Sequence, residues 1–218
     1  MPDWIRRDFG GVGLTQSPPG RHLAALQARY RGSVLLCIDV SSSMGCHEDG
    51  RTRVAHAVAG AERFVNDAVG ANYDVGLVLW NSGIVRHVPL SRDPRPVLDG
   101  LRQARAAGGT NVNPALRLGI QQLGSLTGDR VMAIFGDGDI GPVAPALASS
   151  REAAALGIRI IVRGLGEYAA GQMAQIATED AGDEPGAGVV HTAADIEHGI
   201  AGMAGALGLT ALSRRGRS

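Results

Sequence analysis

The segment from Ser33 to Val40 most constrains what this chain can fold into. It reads Ser-Val-Leu-Leu-Cys-Ile-Asp-Val, and Val34 to Ile38 is unbroken apolar sequence. A run that short and that continuous, with no polar alternation, describes a strand covered on both faces. Parallel strands sandwiched between helices read this way. Downstream, strand-like and helix-like segments alternate. Helical spacing predicts a helix over 53–69 and strands over 73–81 and 84–90. The turn signal Asn81-Ser82-Gly83 between those strands makes the second antiparallel. Helices are expected over 94–106 and 113–123, the latter with Pro114 in its first turn where proline is tolerated. A strand over 130–135, a helix over 145–156, a strand over 158–162 and a short helix over 171–177 follow. A weak strand over 188–191 and a closing helix over 193–207 complete the pattern.

This order predicts an α/β fold: a doubly wound, mainly parallel sheet with one antiparallel edge strand and helices on both faces. The domain is expected over 32–208. Residues 1–31 read as an arm rich in glycine and proline carrying a short helix over 21–30, and 209–218 as a basic, flexible tail. At 218 residues and 44% hydrophobic, the chain has the material for one such core.

Ligands of open parallel sheets sit beyond the carboxyl ends of the strands. Three segments of suggestive chemistry fall there. The first buried strand closes in Asp39-Val40-Ser41-Ser42-Ser43. Gly108-Gly109-Thr110-Asn111 precedes the helix opened by Asn113-Pro114. Gly136-Asp137-Gly138-Asp139 follows the strand over 130–135. Together they offer carboxylates and hydroxyls, the oxygen donors that hard cations such as Mg²⁺ take in octahedral array. Any one of these residues alone reads equally as a turn cap or a solvated loop residue.

The three loops, in this order and separation, resemble the metal-ion-dependent adhesion site of von Willebrand factor A domains. The architecture resembles that family over about 32–207. The resemblance implies that Ser41 and Ser43 bind a metal directly through their hydroxyls, and that Asp39 and Asp137 lie close by, often through waters. It implies that Thr110 binds directly in a high-affinity state. It also implies Mg²⁺ as cofactor, with Mn²⁺ or Ca²⁺ as alternatives, and an open position filled by an Asp or Glu of a partner protein. Stand-alone bacterial members of the family act as adaptors beside AAA+ ATPases or in stress and defence systems, which makes such a subunit the expected partner. Met44, His47, Trp80, Asn111 and Asp139 are expected to form the partner-binding rim.

Other signals narrow the function. Basic and acidic residues balance at 21 each, so no general attraction to nucleic acid or anionic lipid is expected. Every basic residue is arginine, which excludes Schiff-base chemistry and a P-loop lysine. Cys46-His47-Glu48-Asp49 is read as a solvated loop, because adjacent residues rarely converge on one ion, and Cys37 as a packing residue. The cysteines form no disulfide framework, and no leader or membrane span is evident, so a cytoplasmic setting is expected. A binding module is therefore expected rather than an enzyme. The alternatives are a Mg²⁺-dependent hydrolase or phosphotransferase, and a structural subunit with a metal staple. A phosphatase of the haloacid dehalogenase kind would carry an aspartate where Ser41 stands.

Overall fold

Strand β1 (Gly32–Asp39) is buried along its length, as its apolar run requires. In this computed structural model, residues 31–178 and 189–207 are described, and Arg31 begins one compact unit. The expected helix over 21–30 and the tail over 209–218 lie outside the described residues.

β1 pairs in parallel with β4 (Tyr73–Trp80) on one side and β6 (Arg130–Gly136) on the other. Beyond β6 come β7 (Arg159–Leu165) and β8 (Val189–Val190), both parallel. Beyond β4 lies β5 (Ile84–Ser91), antiparallel and at the edge. The order is β5-β4-β1-β6-β7-β8. The chain leaves β1 towards β4 and later returns to its other side as β6, so the carboxyl end of β1 is the switch point. That places Asp39 where sheets of this class open a crevice.

Strand alternation splits the core in two. Val34, Leu36 and Ile38 face α1 (Arg53–Gly70), α2 (Arg95–Arg102) and α6 (Ala193–Gly202), packing with Phe64, Val97 and Ile196. Leu35 and Cys37 face α3 (Asn113–Leu123), α4 (Val143–Ala155) and α5 (Gly166–Ala174), packing with Leu116, Ala153 and Met173. Each fully buried side chain of this size stabilises the fold by about 1.5–3 kcal/mol relative to exposure. The α/β class, the mainly parallel sheet, the antiparallel edge strand and the two helical faces are as the sequence predicts.

Four local readings change. Residues 46–49 are no irregular loop: β2 (His47–Glu48) pairs with β3 (Arg51–Thr52) across Asp49-Gly50. Both turn residues have positive φ, 49° and 78°, the conformation of a type I′ hairpin. α2 stops at Arg102 instead of reaching residue 106, because Ala107 must donate its N–H to the Val40 carbonyl at 2.8 Å. The closing helix ends at Gly202 and tightens into a single 3₁₀ turn, Met203–Ala206. β7 runs on to Leu165 and α5 begins at Gly166, ahead of the expected start at 171. Arg163 and Gly164 interrupt the apolar pattern there. Gly164 lets the chain turn straight into the helix, since a Cβ on it would lie 2.3 Å from the Ala170 nitrogen.

Candidate metal centre

Backbone hydrogen bonds draw the three loops together beyond the end of β1. Val40 donates its N–H to the Trp80 carbonyl at 2.7 Å, and Ser42 donates to the Gly108 carbonyl at 3.0 Å. Asn111 donates to the Asn81 carbonyl at 2.8 Å and Val112 to the Ile140 carbonyl at 3.1 Å. Gly141 seals this last junction. Its φ is +75°, and a Cβ there would meet the Thr110 carbonyl at 2.7 Å and the Asn111 Cα at 2.9 Å.

Within this frame four of the five expected ligand residues form one chain of bonds. The Ser41 N–H donates to Asp39 Oδ1 at 2.7 Å, and the Ser41 and Ser43 hydroxyl oxygens lie 3.0 Å apart. Ser43 Oγ donates to Asp137 Oδ1 at 2.7 Å. That bond uses the only hydroxyl proton of Ser43, so Ser41 is the donor between the two serines. A one-turn 3₁₀ helix, Ser42–Gly45, places the serines side by side. Thr110 lies in the loop that Gly108 and Asn111 anchor, and its hydroxyl joins none of the bonds linking the other four.

Asp39 is fully buried. Its Oδ2 has no hydrogen-bond partner and lies beside Gly136, whose Cβ, if present, would be 3.3 Å from that oxygen. Burial pushes the Asp39 carboxyl up to about 7. The Ser41 bonds pull the other way, and Asp137 and Asp139 add to the rise. A carboxylate in this position is short of positive charge.

A residue that the sequence reading passed over supplies some. Arg53 Nη1 donates to Asp137 Oδ2 at 2.9 Å, and Arg53 Nε donates to Glu48 Oε1 at 2.8 Å. Burial lowers the affinity of Arg53 for its proton, but the bonds to Glu48 and Asp137 outweigh that and hold it above the ordinary value. A signal was available: Arg53 opens α1, where the helix dipole opposes a cation, and the first turn holds no acid. An arginine kept there needs a carboxylate partner nearby.

The rim residues divide. His47 and Asp139 are exposed and Asn111 is half-buried. Asp139 Oδ1 accepts from the Gly141 N–H at 2.8 Å, and Asn111 Oδ1 from the Asn113 N–H at 3.1 Å, so both also brace their turns. Met44 and Trp80, expected at the rim, are fully buried. Met44 packs with Val40 and α1, and Trp80 with Cys37 and α3, so neither meets a partner in this conformation. For Trp80 the alternation of β4 decides the matter, turning that side chain under the α3 face.

The described residues hold no group of three or more His, Cys, Asp or Glu side chains placed to share an ion. A cation at this centre would rely on hydroxyls for part of its shell.

Residues 34–139 match the family model of the von Willebrand factor type A domain. Family match and fold together support a von Willebrand factor type A domain. Among solved structures, this chain resembles the vWF domain of the type V pili tip protein Mfa5 from Porphyromonas gingivalis. The TM-score is 0.67 at 13% identity, over 84% of this chain and 96% of that one. It also resembles a von Willebrand factor type A protein from Catenulispora acidiphila, with TM-score 0.61, 16% identity and coverage of 80% and 42%. An aerotolerance-related membrane protein from Bacteroides fragilis matches with TM-score 0.53 at 20% identity, over 62% of this chain. This chain spans 66% of that protein's structure and 30% of the pilus adhesin SpaC from Lactobacillus rhamnosus GG. No curated protein sequence matches significantly. At these identities the solved structures speak to fold alone. Among the described residues no helix is long and apolar enough to cross a membrane.

Proposed function

We propose that this A-type domain is a protein-interaction module that grips an acidic side chain of a partner through a divalent cation held at the end of β1. The observation that carries this reading is the buried, unpartnered Oδ2 of Asp39, next to two hydroxyls and a second carboxylate. A buried carboxylate oxygen without a donor is costly unless a cation meets it. Every donor of the cluster is oxygen, which fits Mg²⁺ better than zinc.

Asp39, Ser41, Ser43 and Asp137 would hold the ion, and Thr110 would join them in a high-affinity state. When bound, the ion supplies a Lewis-acidic position that accepts a partner's carboxylate. Because the hydroxyls are neutral and only two carboxylates are close, the charge of a divalent ion is no more than balanced, and its open position still draws an anionic oxygen. Exposed His47 and Asp139 and half-buried Asn111 would select among partners. An ATPase-linked complex, or a stress or defence assembly, fits such a grip, since the site offers adhesion rather than a reacting nucleophile. One similar structure is named a pilus adhesin and another a pili tip protein, and a binding role agrees with the first of these.

The test is affinity capture from the native cell extract in Mg²⁺ and in EDTA, using the wild-type chain and Ser41→Ala. A partner should be retained by wild type in Mg²⁺ only, with Ser41→Ala still folded by near-UV circular dichroism. Equal retention in EDTA sinks the proposal.

A further inference from the structure

The two carboxylates of the centre are unequally placed. Both oxygens of Asp137 are engaged, Oδ1 by Ser43 and Oδ2 by Arg53, whereas Asp39 keeps a free Oδ2. The Asp137 side chain has no solvent exposure and that of Arg53 has 24%, so their ion pair is shielded on one side only. A guanidinium does not lose its proton in a protein, and its charge stays in place whatever else arrives. Its fork spans two acids, since Nε reaches Glu48 while Nη1 reaches Asp137. Glu48 sits on the β2–β3 hairpin, directly before α1.

We propose that Arg53 sets the metal affinity of this centre as a built-in competing cation, with Glu48 as the seat that holds the guanidinium when Asp137 turns to an ion. This rests on the metal reading above and adds to it a residue the ligand set does not contain. The physics is direct. A divalent ion among these oxygens lies within a few ångströms of a fixed positive charge and shares a carboxylate with it. Removing that charge must favour the ion. Removing the charge of Glu48 must disfavour it, because the guanidinium then leans on Asp137 alone.

The experiment is calorimetric titration with Mn²⁺ of the full chain as wild type, Arg53→Met, Glu48→Gln, the double variant, and Asp39→Asn as the site control, with thermal melts to confirm folding. Arg53→Met should bind at least ~10-fold tighter than wild type. Glu48→Gln should bind several-fold more weakly, and in the Arg53→Met background its effect should largely vanish. If Arg53→Met and wild type bind equally, and Asp39→Asn abolishes binding, Arg53 is only a structural partner and the inference fails while the metal reading stands. If no variant binds at millimolar Mn²⁺, both fail. Should Arg53→Met not fold, Glu48→Gln decides alone, and an unchanged affinity overturns the inference.

Discussion

Asp39→Asn should make the metal-free domain more stable, and the sign should reverse when a divalent ion is present. The carboxyl is fully buried, and burial lifts it from an ordinary 3.8 to about 7. An acid with a raised folded value ionises more easily in the unfolded chain. Between those two values the folded state therefore binds the extra proton, and stability falls as pH rises through that window. Above it the full penalty is present, roughly 4 kcal/mol by linkage. Asparagine keeps the shape and can still accept the Ser41 N–H, but carries no charge. Its amide group lands where Oδ2 now lacks a partner, next to Gly136, which takes back part of the gain. The expected net stabilisation at pH 8 in EDTA is about 2–3 kcal/mol, shrinking towards zero near pH 4. Urea unfolding of both proteins at pH 4, 6 and 8 measures it. In millimolar Mg²⁺, wild type should gain stability by mass action and the variant should not. If the variant is no more stable than wild type at pH 8 in EDTA, then Asp39 is not the strained acid described here, and the charge-deficit argument for a cation collapses with it.

Two further outcomes follow from the same geometry. Gly141→Ala should destabilise the domain by about 1–3 kcal/mol, because it combines a left-handed φ with a Cβ pressed against the Thr110 carbonyl. It should also weaken Mn²⁺ binding by displacing the Thr110 loop; calorimetry on the folded variant checks this. A thiol count in the native state should find Cys46 reactive and Cys37 silent, since Cys46 is exposed whereas burial pushes the Cys37 thiol up to about 12. Both should react in guanidinium, and rapid labelling of Cys37 in the native protein would contradict its place in the core.

The fold was legible because the strands at the centre of the sheet carry the plainest pattern. β1, β4 and β6 are buried on both faces, so each reads as an apolar run, and the helices between them keep helical spacing. Errors gathered where a tertiary demand overrode the local signal. Helical spacing runs past the end of α2 because nothing in Gln103 to Ala106 announces that Ala107 must reach Val40. The start of α5 is hidden because the apolar run stops before Arg163, although Arg163 sits within β7 opposite Phe135. The Asp49-Gly50 turn was visible in sequence but lacked apolar flanks to mark it as a hairpin.

The centre itself was legible as composition and only partly as geometry. Asp39, Ser41, Ser43 and Asp137 can be named together from sequence because their loops resemble the family's motif, and the structure links them by hydrogen bonds. What sequence cannot weigh is the charge balance around them. Trp80 and Met44 looked like contact residues because position along the chain says nothing about which way a side chain turns at the last pleat. Arg53 belongs to no motif of the sequence, yet it delivers a cation to Asp137 across 84 residues of sequence separation. With the proposed ion in place, two positive charges would contest Asp137, and the ion would meet the Asp39 oxygen that otherwise has no partner. Such an arrangement favours an ion that binds weakly enough to be governed by its surroundings. The arrival of a partner's carboxylate would then do more than fill an open position, since it adds the negative charge that lets the ion and Arg53 share Asp137. On that argument metal and partner should each tighten the other's binding, and the coupling should shrink in Arg53→Met.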